Sequence, residues 1–372
     1  MYRNILLLGL LCVQAPSWAK VCLFQELKVR LETGKSFSAA EENCENEIMK
    51  VNDRVDLNFA ELRVNGLLAS GKKMRLVWDA GNIPQSYLDK TYKDDTERAY
   101  FLETHASCSG DIYNPWFLFG VRADRVQISN FIFENIPDGL HIIKGIGTQI
   151  LNNSFVNVCE DALTIRAGRN HVDVDETLIQ GNIFTDGDDK VINNESGKVK
   201  IVGNSFVNCN RAIDTGNDDV YVKKKRGFVL AKENIFDDVK VPMRGGDMGK
   251  ILSVRNIFKG KTQTLYAART KGEVLVMGDV LQGSCDNLGL LTGNPRTVLN
   301  PADPKSKDIP EYQGPAIVRL EPSTYQKLKS KCKREFNPKS EAGKGNLEQA
   351  IPPLWPKLWE DDFFKNAPDN ST

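Results

Sequence analysis

The side chains best suited to chemistry in this chain are Asp138, Glu160, Asp161, Arg166, Lys190, Arg211 and Arg244, with His141 close to the first of them. Carboxylates grouped as Asp138, Glu160 and Asp161 suit a hard cation that takes oxygen ligands, and calcium is the expected one in an exported protein. A calcium ion there is placed to hold the carboxylate of an acidic sugar. Withdrawing charge from a uronate carboxylate acidifies the C5 proton beside it, and a basic side chain can then remove that proton. Lys190 or Arg244 fills this role if neighbouring cations depress its proton affinity. Arginine normally stays protonated, so Lys190 is the more natural base. The remaining arginines, Arg166 and Arg211, are suited to binding carboxylates bidentately. The competing use of the same charges is a solvated face crossed by salt bridges.

These residues meet only if the chain returns on itself at a fixed interval, and between Val126 and Leu281 it does. One phrase recurs as SNFIFEN, NNSFVNV, GNIFTDG, GNSFVNC, ENIFDDV and RNIFKGK. Its phenylalanines are Phe133, Phe155, Phe184, Phe206, Phe236 and Phe258, spaced by 22, 29, 22, 30 and 22 residues. A period in this range signals units that bury their apolar faces by stacking on one another. Two residues after each Phe come Asn135, Asn157, Asp186, Asn208, Asp238 and Gly260, types that tolerate left-handed backbone and suit one recurring bend. Seven residues after the Phe come Leu140, Val191, Ile213, Met243 and Leu265, while Leu163 follows Phe155 by eight. An inward Phe, an Asn-rich bend and a second inward aliphatic describe one coil of a parallel β-helix. A β-sandwich, with turns every 8–12 residues, is the rival fold; fixed columns of Phe and Asn argue against it.

Strand side chains alternate faces. If Leu163, Val191, Ile213 and Met243 point inward, the outward set on that sheet is His141, Ala162, Thr164, Arg166, Lys190, Ile192, Asp214 and Arg244. The strand starts beside them carry Asp138, Asp161, Asp189 and Arg211, with Glu160 alongside, so acids and bases share one groove.

Composition bounds the rest. The chain has 372 residues, and Lys+Arg and Asp+Glu both total 49, so net charge points to no partner class. Residues 1–19 read as a secretory signal, with Arg3, an apolar Ile5–Val13 core and a Ser17-Trp18-Ala19 cleavage site; the apolar run is too short to span a bilayer. A secreted protein, extracellular or periplasmic, is expected. Seven cysteines then remain, and an odd number leaves at least one unpaired. Cys159 and Cys209 lie two coils apart, about 9.6 Å at the strand spacing and beyond disulfide reach, so each is expected as a small apolar wall residue. Residues 20–110 are read as a partly helical cap and excursion, with a helix from the Ser38-x-x-Glu41 capping box to about Val51 and a second over Phe59–Ala69. Residues 111–292 are read as the β-helix. Residues 293–372 are read as a Pro- and Lys-rich, irregular extension with one helix near Thr324–Arg334; its closing PPLWPKLWEDDFF is expected to pack along the helix side, the commoner use of such aromatics, with binding of a partner as the alternative.

Three runs carry a resemblance: DGLHI (Asp138–Ile142), CEDALTIR (Cys159–Arg166) and DDKVINNESGKVKIVGNSF (Asp188–Phe206). They resemble the third polysaccharide lyase family, calcium-dependent pectate lyases with a right-handed parallel β-helix, over roughly Phe117 to Arg244. The resemblance implies that Glu160 and Asp161 are calcium carboxylates, with Asp138 one coil earlier, and that Lys190 is the lysine of the catalytic groove. Arg166 stands where that family has a lysine. After Asn210 the family reads GK-L-x-R, its arginine a catalytic candidate; this chain reads NRAID, so Arg211 keeps the first cation while Asp214 takes the arginine's place. Arg244, one coil on, compensates in part.

DGDD (Asp186–Asp189) is similar to the aspartates of β-helix polygalacturonases, but the Gly-His-Gly and Arg-Ile-Lys segments of those hydrolases are absent from the sequence. The Lys223–Arg226 run reads as a solvated loop tip rather than a nucleic-acid site. The expectation is a secreted monomer that cleaves a pectate-like polyuronate by β-elimination with calcium, contacting neither nucleic acid nor membrane. The alternative, raised by Asp214, is a non-catalytic β-helix that binds acidic polysaccharide.

Overall fold

Each repeat lays down three short strands, and each pairs in parallel with its counterpart one coil before and one coil after. In the computed structural model this produces three long sheets of eleven, nine and eight strands, the walls of a parallel β-helix. The structure describes residues 19–79, 82, 117–166, 174–195, 197–215, 227–246, 249–268, 272–287, 316–332 and 345–348. The expected leader, Cys108, the Lys223–Arg226 run and the closing aromatic segment lie outside them.

The nine-stranded sheet carries the phenylalanine column. Phe133, Phe155, Phe184, Phe206, Phe236 and Phe258 are in direct register, and their rings stack at centroid distances of 4.7, 5.0, 4.9, 4.9 and 5.2 Å. Those distances match the spacing of hydrogen-bonded strands, so backbone pairing and ring stacking reinforce each other. Burying one such side chain stabilises by about 1.5–3 kcal/mol, and ring pairing adds about 0.5–1.5 kcal/mol. The bend after each Phe is left-handed as expected. Asn135, Asn157, Asp186, Asn208, Asp238 and Gly260 have φ of 54, 52, 58, 53, 53 and 60°. Asn157 Nδ2 donates to Asn135 Oδ1 at 2.7 Å and Asn208 Nδ2 to Asp186 Oδ1 at 2.6 Å, tying these two bends to the ones before them.

A second column runs inside the wall. Asn153, Asn182, Asn204, Asn234 and Asn256, each two residues before its Phe, are buried. The backbone N–H of each donates to the side-chain oxygen of the next, from Asn153 to Asn182, Asn204, Asn234, Asn256 and finally Asp279, at 2.8–2.9 Å. Each amide nitrogen donates to a strand carbonyl, as Asn204 Nδ2 does to Ile179 O at 2.9 Å. A buried bend leaves backbone groups that the sheets cannot satisfy, and the ladder satisfies them.

The ladder ends on a carboxylate rather than an amide. Asp279 accepts from Asn256 N, Tyr266 Oη (2.8 Å) and Ser253 Oγ. Burial pushes its pKa up to about 6, although these donors favour the ionised form. A carboxyl whose folded pKa is raised binds its proton more tightly in the native state, so stability falls as pH rises from about 4 to 6 and stays lower above. Asp279→Asn removes that titration. Denaturant unfolding from pH 4 to 7 should show the wild type losing on the order of 2–3 kcal/mol across this window from this group; the variant should lack that loss. An unchanged pH slope in the variant rules this assignment out.

The coil begins earlier and ends later than the sequence suggests. Strands Phe37–Ser38, Ile48–Val51 and Val55–Leu57 already belong to the three sheets, so the β-helix starts inside the region expected to be a cap. Neither helix expected there forms. Ser38 instead enters a strand, and its hydroxyl meets the Glu41 N–H at only 3.5 Å. The capping helix is Phe24–Glu32, which buries Phe24, Leu27 and Leu31, an i, i+3, i+7 stripe laid over the first coil. At the other end, Ala316–Leu320 and Gly345–Glu348 extend the eleven-stranded sheet, with a helix at Pro322–Lys331 between them. Disulfides join Cys22 to Cys44 and Cys285 to Cys332, stapling both ends. Cys209 is buried and free as expected, whereas Cys159 is disulfide-bonded and not a bare wall residue.

Candidate functional site

The eight-stranded sheet positions the charged residues. Its register aligns Gly120, His141, Thr164, Asn193, Asp214, Arg244 and Ala267 in one outward column. The inward column beside it is Leu140, Leu163, Ile192, Ile213, Met243 and Tyr266. His141, Thr164, Asp214 and Arg244 therefore sit where expected, but Ile192, not Val191, stacks on Leu163. The Phe184 coil carries the same extra residue before its strand as the Phe155 coil, taken up in the Asp186–Asp189 turn. One residue of slip moves a strand's side chains to the other face. As a result Ile192 is interior, Asn193 faces outward in its place, and Lys190 lies in a separate column beside Arg211.

Asp138 and Asp161 are brought together, both nearly buried at 2% and 6% exposure. Gly139 permits the approach: a Cβ there would come within 2.2 Å of the Ala162 carbonyl oxygen. Asp138 Oδ2 lies 2.7 Å from His141 Nε2. Asp161 Oδ2 accepts from Thr164 Oγ1 at 3.0 Å and from Asn193 Nδ2 at 2.8 Å. The second oxygen of each, Oδ1, is buried without a hydrogen-bond partner. Burial, and then the Asp161 charge, push the Asp138 carboxyl well above the usual carboxylate range, while Lys190 pulls it down. Burial lowers the His141 imidazole to about 4, so it is neutral at pH 7 and orients Asp138 rather than supplying a charge. It also stacks on Phe117 at 4.4 Å.

Glu160 does not join this pair. It lines a small cavity with Phe155, Val158, Ala162, Phe184, Thr185, Gly187 and Val191, because adjacent residues at the strand start point to different sides. Among the described residues no group of three or more His, Cys, Asp or Glu stands close enough to hold a metal, so the expected acidic trio narrows to Asp138 and Asp161. Two adjacent buried carboxylates, each with an oxygen lacking a hydrogen bond, fit the carboxylate share of a hard cation's shell. Backbone carbonyls, water or substrate would have to supply the remainder of its 6–8 oxygens.

The arginines are held by carboxylates of the same face. Arg166 Nε meets Glu195 Oε2 at 2.9 Å. Arg211 pairs with Asp189 and lies 3.6 Å from Asp214, and Arg244 pairs with Asp214. Asp214, standing where the lyase resemblance places an arginine, thus draws two guanidinium groups together. The groove is a zwitterionic lattice with the Asp138–Asp161 pair and Lys190 at one end. Asn193 and Glu195 belong to it and were not among the expected residues; counting one extra residue in the Phe184 coil would have placed Asn193 outward. Asp189–Arg211 and Asp214–Arg244 are separated by 22 and 30 residues, the coil periods themselves, which is the sequence signal for such pairs.

No helix among the described residues is long and apolar enough to cross a membrane. No family model, no curated protein and no solved structure matches this chain.

Proposed function

We propose that this chain is an exported, calcium-dependent lyase that cleaves a pectate-like polyuronate by β-elimination. The observation that carries the reading is the position of Lys190 close to two buried carboxylates that each have an unpartnered oxygen, on a sheet face long enough to lay a polymer across. Asp138 and Asp161 would hold a calcium ion, which would supply withdrawal of charge from the uronate carboxylate and so a more acidic C5 proton. Lys190 takes that proton. The electron pair of the C5–H bond becomes the C4–C5 double bond, the C4–O bond breaks, and the leaving oxygen is protonated from solvent. His141, Thr164 and Asn193 orient the two aspartates through the hydrogen bonds described above, and Arg211 and Arg244 face the sugar chain beyond them. The test is incubation with polygalacturonate and calcium. A rise in ultraviolet absorbance from unsaturated ends supports elimination, whereas new reducing ends without that rise replace it with hydrolysis.

A second reading, binding of acidic polysaccharide without cleavage, is favoured by one observation: Asp214 occupies both arginines nearest the position of a catalytic cation. Polymer binding with neither unsaturated nor reducing ends selects it.

Calcium binding has its own test. An ion that binds only the folded form stabilises it by mass action. At about a hundredfold excess over its dissociation constant the gain is about 2.7 kcal/mol. Millimolar calcium should therefore raise the melting temperature by several degrees, and Asp161→Ala should abolish the gain while keeping the fold. An unchanged wild-type melting point, with no calcium retained in equilibrium dialysis, removes the metal from the site.

A further inference from the structure

The groove ends abruptly on one side of the carboxylate pair. In the outward column of the eight-stranded sheet, Asp56, Gly120 and His141 follow one another in register before Thr164. Gly120 offers no side chain, and the ring of Phe117 stands in its place. That ring stacks on the His141 imidazole at a centroid distance of 4.4 Å and an angle of 24°, close to the spacing of adjacent strands. It therefore occupies the coil directly before His141. A Cβ at position 120 would prevent this, coming within 2.6 Å of both Phe117 Cε2 and Asp56 Oδ1. The Arg54 guanidinium lies over the ring, 5.4 Å from its centroid and within cation–π range. Asp56 in turn holds Arg54 and Arg122, at 3.5 and 3.3 Å. Phe117 is left only 6% exposed, so it presents no open face on which a sugar could stack. Nor does it belong to the continuous apolar core, and interior packing does not explain it. The ring is a wall.

Past His141 the floor falls. Thr164 and Asn193, both short, come next in the column, followed by Asp214 and Arg244. Arg166, Lys190, Arg211 and Arg244 all belong to these later coils. Thr164 to Arg244 covers three strand spacings, roughly 14 Å, and the Asp138–Asp161 pair lies at the walled end of that track. We propose that Phe117, seated on His141 and backed by Arg54, closes the groove and makes the protein act at the ends of its polymer rather than within it. The inference rests on the lyase reading for its chemistry. A polyuronate laid along the column has room on the Arg211–Arg244 side of the carboxylate pair, and on the other side the ring pair blocks its path. An internal stretch of polymer, which must continue in both directions, does not fit. The bond beside the pair is then always close to a chain end, and each turnover releases a short unsaturated fragment. Phe117 is thus a specificity-determining residue that takes no part in the proton transfer.

Two measurements on the full chain test this. With polygalacturonate and calcium, the wild type should release short unsaturated oligomers from the outset, while viscosity falls slowly per bond broken. Phe117→Ala removes the wall but no member of the apolar core. It should yield long unsaturated fragments and a several-fold steeper fall in viscosity per bond. Early wild-type products of all lengths overturn the end-directed mode, and so does a variant whose product lengths match those of the wild type. Binding separates this proposal from the chemistry. Lys190→Ala should bind a long oligogalacturonate no more tightly per mole than a short one that spans Thr164 to Arg244. Adding Phe117→Ala to it should tighten binding of the long oligomer several-fold. That pattern, with no unsaturated ends from the wild type, supports the closed groove and removes the lyase. Tighter binding of the long oligomer by Lys190→Ala itself, or binding at no length, overturns the closed groove.

Discussion

Lys190→Ala should lower kcat on polygalacturonate by about a hundredfold to ten-thousandfold, the range that removal of a positioned general base produces. Lys190 is part-buried at the start of its strand and shares register with Arg211, outside the inward column of the sheet, so the melting temperature should hold within a few degrees. KM should change little if the lysine acts on the proton and not on ground-state binding. Lys190→Arg is the informative companion. It keeps the charge but holds its proton far more tightly, so it should remain as inactive as the alanine variant. Full activity in Lys190→Arg would show that charge alone is needed and would pass the base to another group.

Asn204→Leu should cost about 3–5 kcal/mol, the largest single loss of stability expected from a polar residue here. Asn204 is 1% exposed. Its oxygen accepts from Asn182 N and Nδ2 at 2.8 and 3.0 Å, and its amide donates to Ile179 O, Val202 O and Asn234 Oδ1. Leucine matches the volume but strands a buried N–H and a buried carbonyl, each costing about 1–3 kcal/mol. Asn157→Ala, at an exposed bend with φ of 52°, should cost about 1 kcal/mol, mainly from the left-handed backbone. Denaturant midpoints of the two variants measure the difference. Equal losses would mean that the ladder contributes no more than an ordinary surface turn.

What was legible in the sequence follows what repeats in fixed columns. The Phe column and its left-handed bends recur at constant offset, so the sheet that carries them could be read directly. The Asn ladder recurs just as faithfully, two residues before each Phe, but an Asn reads equally well as a turn residue, and only burial shows its role. The second inward column slipped at Val191 because the turn length varies between coils; a one-residue insertion reverses faces without disturbing the Phe period. The helix over Ser38–Val51 failed for a different reason. A capping box is a local preference, and parallel pairing of Ile48–Val51 with Met74–Trp78 overrode it. At the site, the acidic trio of Asp138, Glu160 and Asp161 could be read from positions in successive coils, but the divergence of Glu160 and the capture of Arg211 and Arg244 by Asp214 depend on where side chains reach between coils.

The most direct measurement of the proposed activity is mass analysis of the products after digestion of polygalacturonate. Elimination breaks the C4–O bond without adding water, so each new non-reducing end should be an unsaturated uronate, one water lighter than a hydrolytic end. These ends should disappear in Lys190→Ala and in the absence of calcium. Saturated new non-reducing ends, or a polymer left at its original length by the calcium-loaded protein, would contradict the lyase.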